Sequence, residues 1–436
     1  MSTSKATSSA PTLPPHFRFC VSTAAHQVEG GNFNSDWWEW EQTPGHIKNG
    51  DTSKMATDSW NHLEEDLGHM SDLGVDTYRF SIEWAKIEPK PGEFDEVELA
   101  RYVDQIDKLK ARQIDSMVTL YHFTLPLWVS RQGGWEWDGV ADAFDRFASH
   151  VASRVGNRVT LWLTLNEPMT IIGAGYVSNV FPPAKNNVKS IGLPMANMIR
   201  AHAKAYHSLH RILDRSDFKP RVGLAHHLRN FDARHHFNPA DRYAAAKFDE
   251  IFNWALPRAM KTGELKFRMP LITRAEYFIP EAVGTQDFFG INYYTRDRIS
   301  FNLFHNPPIV RSVTPRSAVS DLNWEIYPKG LDRLLSRIRL EFPKMPIWIT
   351  ENGLADQNDK LRMPYIESHL NVIAKQIAQG ADIEGYCHWT LNDNFEWAEG
   401  YNAPFGFFSV DPVTFKRKAR PSAQAFSNLI RSVRKQ

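Results

Sequence analysis

Cysteine is nearly absent, with two in 436 residues, Cys20 and Cys387, near opposite ends of the chain. Thiols placed so define neither a zinc spacing nor a disulfide framework. Cys387 lies in the apolar run IEGYCHW and reads as a small buried side chain, not as a nucleophile. Long apolar runs are missing too: none reaches the roughly 18 residues that suggest a membrane span. Charge of one sign is missing as well. Lys and Arg number 51 against 50 Asp and Glu, and a net charge of +1 gives no global field to attract nucleic acid or anionic lipid. No repeat or low-complexity block occurs, and 24 Gly with 26 Pro exclude collagen-like and broadly disordered classes. The start, MSTSKATSSAPTLPP, lacks the apolar stretch of a secretory signal, so residues 1–14 are expected to form a disordered tail and the location to be cytoplasmic. Residues 431–436 read as a short basic tail, and nothing in the chain sets an oligomeric state. What is plentiful is tryptophan. Fourteen of them suggest aromatic platforms as well as core.

Between the two tails the organising feature is alternation. Short apolar runs ending in polar residues recur at Phe19–Ala25, Thr77–Ser81, Asp115–Tyr121, Thr160–Leu165, Arg221–His226, Asp287–Tyr293, Pro346–Thr350 and Ile383–Thr390. Several are apolar on both faces, as strands with helices on one side and a packed barrel on the other should be. Helical spacing lies between them: Trp60, Leu63, Leu67, Met70 and Leu73; Val140, Phe144, Phe147, Val151 and Val155; Leu331, Leu334, Leu335 and Ile338. The pattern predicts an α/β chain, a single (β/α)8 TIM barrel with extended βα loops over residues 15–430. A doubly wound sheet is the alternative, but no glycine-rich phosphate loop follows any of the runs.

Barrel sites lie at the C-terminal ends of the strands. There the fourth run ends in Thr164-Leu165-Asn166-Glu167-Pro168 and the seventh in Ile349-Thr350-Glu351-Asn352-Gly353. Arg79, His122, Asn292-Tyr293-Tyr294 and Trp389 close other runs, and the first leads into His26-Gln27 and Glu29. Two opposed carboxylates with no metal fit cleavage of a glycosidic bond, in which one protonates a leaving oxygen and the other stabilises or traps an oxocarbenium-like centre. Either glutamate alone would read as a solvated loop residue. His226-His227 and His235-His236 lack metal-ligand spacing and a carboxylate or Cys partner, and read as loop or pocket histidines, so no metal and no cofactor is implied. Lys416-Arg417-Lys418 reads as a solvated strand or turn.

From about Phe17 to Leu429 the sequence resembles the family 1 glycoside hydrolases, the β-glucosidase-type retaining enzymes. The matching segments, in family order, are STAAHQVEGG, YRFSIEWAKIEP, YHFTLPLW, TLNEP, GINYYT, WEIYPKGL, ITENG and DNFEWAEGYNAPFG. The resemblance implies that Glu351 is the nucleophile and Glu167 the acid/base, with carboxyl groups about 5–5.5 Å apart. Arg79 and Tyr294 would support the Glu351 anion, so Glu351 is expected to ionise first and leave Glu167 protonated; Asn292 stands with them as support. Gln27, His122, Asn166, Glu396 and Trp397 match hydroxyl-binding positions and Trp389 the stacking floor. Trp324 resembles the leaving-group platform, and Phe405 belongs to the same wall. Asn166 would hold the 2-hydroxyl. Glu396, as an anion, would accept from hydroxyls and repel a phosphate. Departures from the family are Phe123 where Trp is common, Met169 where an aromatic is frequent, His226-His227 where Asn often stands, and Pro404 for a usual Arg. The implied activity is release of a terminal β-linked glucose, fucose or galactose from a small glycoside or oligosaccharide. A transglycosylating variant and a non-catalytic sugar-binding protein on the same barrel are the alternatives; the second would normally show a missing carboxylate.

Overall fold

The computed structural model describes residues 11–270, 272–302, 304 and 309–435. Eight parallel strands close into a barrel in chain order: β1 (Arg18–Ser22), β2 (Thr77–Ser81), β3 (Asp115–Tyr121), β4 (Leu161–Asn166), β5 (Arg221–His227), β6 (Phe288–Asn292), β7 (Ile347–Asn352) and β8 (Ile383–Trp389). β1 pairs with both β8 and β2, so no barrel edge stays open. The predicted second and third strands coincide with the observed ones. The first ends three residues early, because Ala25 already opens a short helix, Ala25–Val28, that carries Gln27. The seventh runs on to Asn352, which puts Glu351 on the strand and not after it.

Strand alternation divides the core into two layers. Inward residues Cys20, Met117, Leu163, Ala225, Phe288, Trp348 and Cys387 fill the lower barrel. Cys20 and Cys387 turn out to be neighbours in register, and both are free thiols. Outward residues meet the helices. Val140–Val155 is helical over its whole predicted length, buries Val140, Phe144, Phe147, Val151 and Val155, and stops at Gly156, where φ is +62°. Full burial of each such side chain contributes about 1.5–3 kcal/mol.

The extended loops carry structure of their own that hydrophobic spacing did not reveal. Asn230–Ala233, Arg296–Phe301 and Ile309–Ser312 form a small sheet, and Glu264–Met269 pairs with Thr273–Phe278 in a hairpin. Residues 1–10 lie outside the described residues, but Leu13 is core at 6% exposure. At the other end the helix Pro421–Arg434 continues with Val433 buried. Among the described residues no helix is long and apolar enough to cross a membrane.

Candidate active site

Glu351 stands at the top of β7, and Glu167 follows the last residue of β4; both are buried. Glu167 has a φ of +45°, the left-handed region, as do Phe123 at +75° and Trp397 at +51° nearby. Non-glycine residues held there cost on the order of 1–3 kcal/mol each, and such strain gathers at functional sites.

One network joins the two carboxyls. Arg79, fully buried inside β2, donates from Nη1 to Glu351 Oε1 at 2.5 Å and from Nη2 to Asn166 Oδ1 at 2.7 Å. Asn292 Nδ2 donates to that same Asn166 oxygen at 3.0 Å and to Glu167 Oε1 at 2.7 Å. Tyr294 donates to Glu351 Oε2 at 2.5 Å. Thr350 fixes the Asn292 amide by donating to its Oδ1 at 2.7 Å.

The sugar-pocket candidates gather beside this network. Gln27 Nε2 donates to Glu396 Oε2 at 3.1 Å, and Asn166 Nδ2 donates to His122 Nε2 at 3.2 Å. An Nε2 that accepts leaves the His122 proton on Nδ1. That Nδ1 and Gln27 Oε1 are buried without a hydrogen-bond partner among the described residues. Burial, with the charge of Arg79 beside it, holds His122 well below the usual histidine range, so the ring is neutral. His122 stacks against both Trp389 and Trp397 at centroid distances of 5.7 and 6.0 Å. The two indoles are only 3% and 5% exposed. Trp324 is half-buried and lies 5.5 Å from Tyr294 and 6.1 Å from the buried Phe405.

One carboxyl prediction needs correction. Burial pushes Glu396 up to about 8, and the charge of Glu351 adds to the rise. At neutral pH it keeps a proton in the free pocket and can donate as well as accept, so repulsion of a phosphate no longer follows from its charge. The order of ionisation turns on His227. This residue ends β5, its Nδ1 is 3.1 Å from Glu167 Oε2, and Thr170 Oγ1 lies 2.7 Å from both groups. Burial pushes Glu351 up to about 7 despite Arg79, with the charge of Glu167 adding to the rise. Burial pushes Glu167 up as well, but a charged His227, with hydrogen bonds from His227, Thr170 and Asn292, would bring it down to about 2. Arg229 Nε, however, donates to His227 Nε2 at 3.0 Å, which assigns the ring a single proton on Nδ1 and no charge. Glu351 then faces a full cation and Glu167 faces neutral donors, so Glu351 is the easier anion; a second proton on His227 would reverse the order.

His227 and Thr170 were missed as partners of Glu167, and Arg229 as a partner of His227. The histidine pairs were read as lacking a carboxylate, yet His227 has Glu167 and His235 has Asp241 at 2.7 Å. The signal was period-two alternation: of two adjacent histidines ending a barrel strand, one must face the mouth. His226 instead packs on Phe289, with centroids 4.5 Å apart.

A closed (β/α)8 barrel with two buried glutamates at the ends of its fourth and seventh strands defines a class, the glycoside-cleaving enzymes. The model of Glycosyl hydrolase family 1 matches residues 9–435, and the chain belongs to this family. It is 31% identical to Beta-glucosidase A of Thermotoga maritima over 445 residues, 96% of this chain and 98% of that protein. It is 29% identical to a Beta-galactosidase of Pyrococcus woesei, covering 94% of each. The solved structure of Beta-glucosidase from Thermotoga maritima in complex with glucoimidazole superposes with a TM-score of 0.89 at 29% identity, over 97% of this chain and 99% of that one. The protein is a glycoside hydrolase with β-glycosidase relatives.

Proposed function

We propose that this hydrolase is a retaining, exo-acting β-glycosidase, most active on β-glucosides, that works by double displacement. The observation that carries the reading is the shared network: two buried glutamates, one on a guanidinium and a phenol, the other on neutral donors, bridged by Asn166 and Asn292. Glu351 attacks the anomeric carbon as Glu167 gives its proton to the leaving oxygen, and the glycosidic bond breaks. Forming the ester removes the Glu351 charge, which makes Glu167 easier to ionise. Glu167 then takes a proton from water as that water attacks the anomeric carbon, the ester bond to Glu351 breaks, and both carboxyls return to their starting states. Asn166 holds the 2-hydroxyl, whose hydrogen bond strengthens in the transition state. Trp389 floors the ring, His122 Nδ1–H and Gln27 Oε1 offer a donor and an acceptor to hydroxyls, and Glu396 and Trp397 complete the rim. The β-glucosidase relative supports the gluco preference, and the β-galactosidase relative adds galactosides as second substrates.

The test is azide rescue. Glu351→Gly is expected to abolish hydrolysis, and azide with an activated β-glucoside should give the α-glycosyl azide, since direct displacement inverts. Glu167→Ala is expected to spare activated substrates, lose those with poor leaving groups, and give the β-glycosyl azide through the intermediate. A β-azide from the Glu351 variant removes it as nucleophile, and equal losses on both substrate types remove Glu167 as acid.

A further inference from the structure

Beside Glu167 lies a cavity of about 680 Å³, within the usual size for a small-molecule site. Thr170 and His227, both partners of Glu167, form part of its wall, so a group leaving from a sugar held in the pocket would enter here. Most of the remaining wall is apolar, with Met169, Phe252 and Ile272 prominent. Two guanidinium groups, Arg229 and Arg311, stand on it, and among the described residues no carboxylate lines it. The two share a counter-ion set behind the wall, Asp297, at 2.9 Å from Arg229 and 3.8 Å from Arg311. Arg229 uses Nε on His227 and Nη1 on Asp297, and its Nη2 has no partner among the described residues. Its guanidinium also lies 5.6 Å from the Trp324 ring centre. The cavity thus sets an excess of one positive charge against a mostly apolar wall, with the Arg229 side chain 12% exposed, where a charge pair is worth more than in water, and that of Arg311 57% exposed. A second sugar would call for hydroxyl-binding amides beside its stacking faces, and among the described residues this wall offers three phenylalanine rings but only Asn186 as an amide side chain.

We infer that the leaving group this enzyme favours is an amphipathic acid, an aromatic or aliphatic body ending in a carboxylate that meets Arg229 and Arg311. The inference rests on the glycosidase reading and names what Glu167 protonates. The experiment compares the β-glucoside of para-hydroxyphenylpropanoic acid with that of its primary amide, since the two phenols are nearly equal as leaving groups. In the wild type kcat/KM for the acid should exceed that for the amide by about tenfold or more at low salt, and added salt should shrink the ratio. In Arg311→Gln the ratio should fall toward unity, and free hydroxyphenylpropanoate should inhibit the wild type more strongly than the free amide does. Equal rates for acid and amide, better turnover of cellobiose than of the acid, or a ratio unmoved by Arg311→Gln would each overturn the inference and leave the glycosidase reading standing. No release from either glucoside, nor from dinitrophenyl β-glucoside, would overturn that reading itself.

Discussion

His227 shows what a single side chain adds to the pair of glutamates. Its Nδ1–H and the Thr170 hydroxyl favour the ionised form of Glu167, while Arg229 Nε donates to the other ring nitrogen. Removing a donor to an anion raises the proton affinity of that anion. In His227→Leu the basic limb of the kcat/KM profile, which follows loss of the acid's proton, should therefore move to higher pH by about one unit, since a hydrogen bond to a charged group is worth about 1.5–3 kcal/mol. His227→Asn keeps an N–H donor and should restore most of the wild-type limb. A variant that only loses rate, with both limbs in place, would reduce His227 to a structural part. The limbs belong to the coupled pair and not to either glutamate alone. Glu167 and Glu351 were legible because each closes an apolar run. His227 was not, because its partner follows the neighbouring strand β4, some sixty positions earlier in the chain, and sequence spacing carries no information on such a pair.

Elements were legible where their residues face one environment throughout. β2 and β3 are buried along nearly their whole length and came out with correct ends. The first strand was overrun because Thr23-Ala24-Ala25 is as apolar as a strand, although hydrogen bonding already turns it into the helix that holds Gln27. The hairpin strand Glu264–Met269 alternates exposed and buried positions strictly, a period-two signal that was passed over because it stands outside the eight barrel runs, whereas the loop sheet mixes exposed and buried positions without a clear period. The junction of β7 with β8 offers a test at this scale. A Cβ on Gly353 would lie 2.1 Å from the Trp389 carbonyl oxygen, so the strand carrying Glu351 and the strand carrying the proposed sugar floor approach as closely as only glycine permits. Gly353→Ala should cost about 1–3 kcal/mol, as overpacking does, and displace Trp389. A lowered thermal midpoint together with weaker binding of a glucose-shaped inhibitor is the expected result; an unchanged midpoint would contradict the close approach.

The barrel must also be closed by the two ends of the chain, and there a charged pair reads differently from its sequence. Arg417, flanked by two lysines, was read as solvated; Lys416 and Lys418 are exposed, but Arg417 is 5% exposed and donates to both oxygens of Asp66 at 3.0 and 3.1 Å. Asn392 donates to the same carboxylate at 2.8 Å. Asp66 lies on the helix Leu63–Leu73 that precedes β2, and Arg417 follows β8, so the pair ties the opening of the barrel to its end. Ser427, on the last helix, donates to the Asp72 carbonyl at 2.8 Å and adds to the same seam. A buried pair gains little over an apolar replacement, whereas removing one member strands the other charge at a cost of about 3–5 kcal/mol. Asp66→Asn should therefore lower the urea midpoint strongly. Asp66→Asn combined with Arg417→Leu should lose less than Asp66→Asn alone, because the stranded cation is gone. Activity at low temperature should survive in whatever fraction folds, since neither residue touches the sugar pocket. If Asp66→Asn unfolds at the wild-type urea concentration, the seam does not hold the ends, and closure rests on the pairing of β1 with β8 alone.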